Sequence, residues 1–183
     1  MFKSIQTIYK EDILPKRAEL FGCTNQFAAP RIEKVVLNAR VKRGGSVGEE
    51  IVVKTLERIT GQKPVTTKAR LSISNFKIRA GMVVGAKVTL RGKRAHDFLD
   101  KFIHVTLPRV RDFSGLPTKS LDAHGNLTIG LPEHIVFPET SGDDMAHLHG
   151  LQVCITTTAT TKPEAEKLFR ALGFPFKKED VTA

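Results

Sequence analysis

Between Arg58 and His96 the chain carries ten lysines and arginines (Arg58, Lys63, Lys68, Arg70, Lys77, Arg79, Lys87, Arg91, Lys93 and Arg94) and no aspartate or glutamate. Spread evenly, its nineteen acids would place about four in those thirty-nine residues. Cations without carboxylates suit one chemistry, the binding of a polyanion through its phosphates, because each carboxylate would repel the ligand and compete for the cations. The whole chain shares the bias, with a net charge of +10 and a pI near 9.8. Such a charge acts over a Debye length of about 8 Å in physiological salt. Nucleic acid is the first expected partner, and an anionic membrane surface the second.

Signals for catalysis are weak. There is no Walker loop and no GxGxxG, and Gly81 to Gly85 has the wrong spacing for a GxxG clamp. His134, His147, His149 and Cys154 could be imagined as a metal site, but they follow no ligand-spacing motif, so solvated or hydrogen-bonded histidines are expected. His96, Asp97, Asp100 and His104 share a helical segment on which Asp97 and Lys101, at i and i+4, read as a surface ion pair. No catalytic residue, metal or cofactor is predicted. Cys23 and Cys154 are isolated thiols that fit a reducing cytosol. No apolar run approaches the ~20 residues of a membrane span. A soluble intracellular protein without a membrane partner is expected.

The basic residues need elements to hold them. Arg31 to Val41 is rich in β-branched residues, and its alternation sets Val35, Leu37, Ala39 and Val41 against Lys34, Val36, Asn38 and Arg40. Val65 to Arg70 alternates too, with Val65, Thr67 and Ala69 expected inward and Thr66, Lys68 and Arg70 outward. Val84 to Arg91 opposes Val84, Ala86, Val88 and Leu90 to Gly85, Lys87, Thr89 and Arg91. Asn126 to Leu131 and Leu151 to Thr157 supply two more strands. Helices are predicted around Phe2 to Phe21, divided at Pro15 and ended by Gly22. Others run from a capping box at Ser46 to Glu49 as far as Gly61, around Phe98 to Thr106, and from a second box at Thr161 to Glu164 as far as Gly173. Pro132 to Gly150 reads as a surface excursion, and Lys177 to Ala183 as a frayed tail.

Five half-apolar strands and about four amphipathic helices predict an α+β two-layer sandwich, mostly antiparallel, forming one domain over residues 1–183 with one basic face open. That face would collect Lys34, Asn38, Arg40, Thr66, Lys68, Arg70, Lys87, Thr89, Arg91, Thr128 and Gln152. None is aromatic, which argues against single-strand readers that stack bases on aromatic rings and favours phosphates, 2′-hydroxyls and the shallow minor groove of folded RNA. Leu71 to Val83, too long for a tight turn, reads as a reaching arm with Lys77, Arg79 and Gly81 beside exposed Ile78 and Met82. A structural RNA-binding protein is the expectation, and an RNA-modifying enzyme that positions substrate on the basic face is the alternative.

Several motifs in order carry a resemblance: ITGQKPV at 59–65, TKAR at 67–70, FKIRAGM at 76–82, KVTLRG at 87–92, LPRVRDFSGL at 107–116 and GFPF at 173–176. Over nearly its whole length the chain resembles bacterial-type large-subunit ribosomal protein five, the 5S ribosomal RNA-binding family. The resemblance implies a non-enzymatic cytoplasmic ribosomal protein that docks 5S RNA onto the central protuberance. Asn38, Gln62, Lys63, Thr66, Lys68, Thr89 and Arg91 would grip that RNA, joined on the same basic face by Arg40, Arg70 and Lys87. It further implies that the arm, with Ser72, Asn75, Phe76, Lys77, Ile78, Arg79, Gly81 and Met82, reaches peptidyl-site tRNA. Contacts with large-subunit ribosomal RNA and a bridge to a small-subunit protein are also implied. One departure is Arg40, followed by Lys42 and Arg43, where the family usually carries glycine.

Overall fold

Alternating burial organises the chain around a five-stranded sheet, described with its helices for residues 3–41, 48–140, 142 and 147–177 of a computed structural model. The strands are β1 (Ile32–Arg40), β2 (Val65–Lys68), β3 (Val83–Arg91), β4 (Leu127–Leu131) and β5 (Leu151–Thr157), in the spatial order β2-β3-β1-β5-β4. Backbone bonds at the strand ends set the directions. Val41 N donates to Val84 O at 3.1 Å, Thr158 N to Arg31 O at 2.9 Å and His134 N to His149 O at 3.1 Å. Each joins the end of one strand to the start of its neighbour, so these pairs run antiparallel, as β2 and β3 do. The α+β class predicted from the sequence is the class observed.

The pleat sorts the side chains. Val35, Leu37 and Ala39 of β1, Ala86, Val88 and Leu90 of β3, Leu127, Ile129 and Leu131 of β4, and Leu151, Val153 and Ile155 of β5 are buried. Their alternates Asn38, Arg40, Lys87, Arg91, Thr128 and Gln152 are exposed. The chain divides into two compact units, Met1–Val35 with Arg91–Ile129 and Cys154–Ala183, and Val36–Leu90 with Gly130–Val153.

In the first unit, α1 (Ile5–Ile8) runs into a wider π-turn at Tyr9–Ile13, closed by Leu14 N donating to Tyr9 O at 3.0 Å. Pro15 follows, as the sequence predicts, and α2 (Arg17–Phe21) ends at Gly22 with φ +70°. Helix α4 (Gly92–Lys101) begins four residues before His96, the first residue the sequence places on it, and continues through a second π-turn, Phe102–Thr106, to Pro108. Asp100 is not solvated surface on this helix. It accepts from Ile5 N at 2.7 Å and from Ser4 Oγ at 2.9 Å, satisfying amides at the start of α1.

Helix α5 (Lys162–Ala171) opens differently from the predicted box. Thr161 makes no side-chain cap, and Glu164 Oε2 accepts instead from Thr160 N at 3.1 Å. Two of the family-like motifs meet in this unit: Leu116 N donates to Pro175 O at 2.7 Å and Lys177 N to Leu116 O at 2.9 Å. Gly115, at φ +106°, is needed there, because a Cβ would lie 2.8 Å from Lys177 N.

In the second unit, α3 (Glu49–Thr60) buries Val52, Leu56 and Ile59 and stops at Gly61, whose φ is +64°. Ser46 of the first predicted capping box and most of the predicted tail lie outside the described residues. Of the surface excursion predicted for Pro132 to Gly150, residues 141 and 143–146 lie outside the described residues, and the part from 132 to 140 is not a surface excursion. Its short turns His134–Val136 and Pro138–Thr140 bury Phe137 and Thr140 completely, with Thr140 Oγ1 donating to His134 O at 2.7 Å. Turns of three residues bury side chains without a helical or strand period, so alternation could not reveal them.

Candidate nucleic-acid interface

In the second unit the basic residues are set by two strands and a helix end. Lys87 lies exposed between buried Ala86 and Val88 on β3, and Thr89 follows two residues on, half-buried. Asn38 and Arg40 stand exposed on the neighbouring β1. Because Gly61 turns the chain out of α3, Gln62 and Lys63 emerge beside β3, and Gln62 Nε2 donates to Thr89 O at 3.3 Å. Lys63, Lys68 and Arg70 are exposed.

The register of β2 corrects the faces expected for Thr66 and Val65. Thr66 pairs with Ala86 and Val65 with Lys87, and directly opposed residues share a sheet face. Thr66 therefore lies on the buried Ala86 side and lines a cleft with Gly48, Glu49, Glu50 and Lys63 beside the start of α3. Val65, predicted inward, is 64 % exposed on the Lys87 side. A break in register between Thr67 and Lys68 then pairs Lys68 with Val83. In four residues at a sheet edge, the partner strand sets which side faces inward, and β-propensity alone does not carry that information.

Gly85 marks the close approach of three strands. A Cβ there would lie 2.8 Å from Ala39 O and 3.2 Å from Thr67 Oγ1. Absence of a side chain lets β1 and β2 flank β3 closely at Gly85, two residues before Lys87.

The arm has a defined course. Ala69 N donates to Met82 O at 2.8 Å, Gly81 N to Ala69 O at 2.9 Å, and Ile73 and Ile78 exchange backbone bonds of 2.9 and 3.1 Å. Ala80 N donates to Ser72 Oγ at 3.0 Å. The reversal passes through Ser74–Phe76 to Lys77, whose φ of +52° closes the turn. Ser72, Asn75, Lys77, Arg79 and Gly81 are exposed. Ile78 and Met82, predicted exposed, are half-buried within the arm, and Leu71, Ile73 and Phe76 carry the exposed apolar surface instead. Nothing in the sequence pattern singles out Leu71 and Ile73. The Ile73–Ile78 bridge, which no local pattern announces, decides which side chains turn outward.

Arg91, the last residue of β3, belongs to the first unit, where its Nη1 lies 3.2 Å from Glu33 Oε1. Of the histidines, His134 and His149 are hydrogen-bonded, one of the two states expected. His134 and His149 are buried with stacked rings 4.2 Å apart, and His149 N donates to His134 Nδ1 at 3.4 Å. Among the described residues no cluster of three His, Cys, Asp or Glu could hold a metal, and no helix is long and apolar enough to cross a membrane.

Two family descriptions match the chain: "Ribosomal protein L5" over residues 25–79, and the C-terminus of the same ribosomal protein family over residues 83–176. Among curated proteins, the large ribosomal subunit protein uL5 of Streptococcus pyogenes serotype M49 is 46 % identical over 180 residues, covering 97 % of this chain and all of the relative. The protein of that name from Streptococcus uberis is 45 % identical over the same span. The matched regions contain β1, α3, β2, most of the arm and all of β3.

Proposed function

The chain belongs to the ribosomal protein L5 family, and we propose that its open face grips 5S ribosomal RNA and helps attach it to the central protuberance. It is a structural constituent of the large ribosomal subunit in the cytoplasm, with ribosomal RNA and other ribosomal proteins as partners, and not an enzyme. In the second unit, Asn38, Arg40, Lys68, Lys87 and Thr89 serve as the RNA contacts of the strands, with Arg70 just beyond β2 and Gln62, Lys63 and Thr66 at the adjoining edge. Arg91 is a further contact from the first unit. The arm reaches peptidyl-site tRNA through Lys77, Arg79 and the exposed Phe76. The family resemblance adds large-subunit RNA and a small-subunit bridge protein as partners.

One observation carries the reading. Lys87, Asn38 and Arg40 are exposed beside buried strand neighbours, and no aromatic side chain stands among the described residues of this face. Cations and short polar groups without a stacking platform match the backbone and 2′-hydroxyls of a folded RNA better than splayed bases.

Chemical footprinting of isolated 5S RNA with and without the full chain tests the reading. A protected patch that shrinks in the Lys87→Gln variant is expected. Protection absent with the wild-type chain, or unchanged in the variant, overturns it.

A further inference from the structure

In the first unit a groove of about 140 Å³ is lined by Ile5, Tyr9, Lys10, Arg31, His96 and Leu172, with Gln6 and Ile32 beside them. We propose that this groove takes one unstacked base of an RNA, held against Tyr9 with its phosphate on Arg31 and Lys10, as a contact separate from the strand face. The proposal rests on the reading of the chain as a ribosomal RNA binder.

Four observations point to that occupant. The volume lies below the ~300 Å³ at which sites for drug-sized ligands begin, so one ring system fits and a helix does not. The floor is apolar, with Ile5 and Leu172 buried and Tyr9 and Ile32 half-buried. The rim is basic and polar, and among the described residues no carboxylate lines it. Glu11 and Asp12, next in sequence to Lys10, are held by Lys3 Nζ at 3.3 and 3.4 Å. An apolar slot rimmed by cations fits a base with its phosphate better than an aromatic side chain of a protein, which would leave those charges unanswered.

The polar atoms suit a base edge as well. His96 Nδ1 lies 2.9 Å from Gly92 O. A carbonyl only accepts, so in the neutral ring Nδ1 holds the proton and Nε2 remains an acceptor for an exocyclic amine. Arg31 is anchored at its backbone, where its N donates to Thr158 Oγ1 at 3.0 Å, while its side chain is exposed. Burial keeps the Tyr9 phenol protonated above its usual range, against the opposing charge of Arg31, so the ring enters as an uncharged stacking partner. Stacking on this ring would supply what the strand face lacks.

The composition provides the test. Tyr9 is the sole tyrosine and there is no tryptophan, so the tyrosine emission of the full chain reports on this groove. A pentaadenylate RNA is titrated in, alongside an abasic ribose-phosphate chain of equal length. Saturable quenching by pentaadenylate only is expected. The Arg31→Gln variant should weaken it about tenfold, the scale of one charge-assisted hydrogen bond, and Lys87→Gln should leave it unchanged. Equal quenching by the abasic chain, no quenching at all, or quenching that follows Lys87→Gln would overturn the proposal. So would saturable quenching by a phenylalanine-containing peptide in place of the RNA. Failure of the groove leaves footprinting of the strand face untouched, so the two readings fall separately. Should Arg31→Gln fail to fold by circular dichroism, Lys10→Gln serves with the same expected direction.

Discussion

Arg91 Nη1 and Glu33 Oε1 lie 3.2 Å apart across the neighbouring strands β3 and β1, with both side chains about half exposed. The last cation of the acid-free strands therefore starts out paired with a carboxylate that must yield or be shared when a phosphate approaches. An exposed pair of this kind contributes about 0 to 1 kcal/mol, so releasing it costs little.

Replacing Glu33 with Gln should raise affinity for 5S RNA severalfold at low salt, with the gain fading as salt screens the removed negative charge. Filter binding across a salt series checks this, and the unfolding free energy should move by less than about 1 kcal/mol. A drop in affinity at low salt would mean that the pair positions Arg91 productively.

Gly85→Ala should destabilise the protein by about 1 to 3 kcal/mol, the usual cost of forcing atoms into a packed site, because the new Cβ meets Ala39 O at 2.8 Å. Gly130→Ala is the control, since nothing lies within 4 Å of its Cβ and its φ is not positive. Urea denaturation should separate the two clearly.

Much of the strand pattern was legible because β1, β4 and β5 have one dry and one wet face, which writes a period of two into the sequence. That is why Asn38, Arg40 and Lys87 could be placed outward from alternation alone. Thr66 and Val65 could not, since the face of a four-residue edge strand follows its partner's register. The Glu33–Arg91 and Asp100–Ile5 contacts join residues 58 and 95 positions apart, and no local spacing encodes such meetings. Phe137 reads as surface because prolines surround it, yet it is fully buried by turns too short to show a period.

Tyr9 should titrate as a single transition above the ordinary phenol value of about 10, because burial raises it and Arg31 only partly opposes this. Removing the guanidinium in Arg31→Gln should move the transition further up. Absorbance at the phenolate band reads it directly, and a downward move would contradict the placement of Arg31 near the ring. Its folded value is raised, so stability from this group is present below the unfolded value and is lost as pH rises through the folded one.

The turn at Asp122 predicts an acid response. Burial pushes this carboxyl up, but hydrogen bonds from Asn126 N and Nδ2 at 2.7 and 2.8 Å and from His124 N at 3.0 Å outweigh it and hold it below its usual value of about 3.8. Its contribution is present above that value and is lost as pH falls through the lower folded one. Amide exchange at His124 and Asn126 should quicken in that acid range, and Asp122→Ala should show fast exchange already at neutral pH.

The salt dependence of 5S RNA binding by the Lys68→Gln/Lys87→Gln double variant bears most directly on the open face. Both cations are exposed, and each phosphate that is no longer neutralised should lower the slope of log affinity against log salt by roughly one. The expected result is a slope smaller by about two and an affinity about a hundredfold weaker at low salt, on the scale of two charge-assisted hydrogen bonds. An affinity and slope equal to wild type would contradict the account.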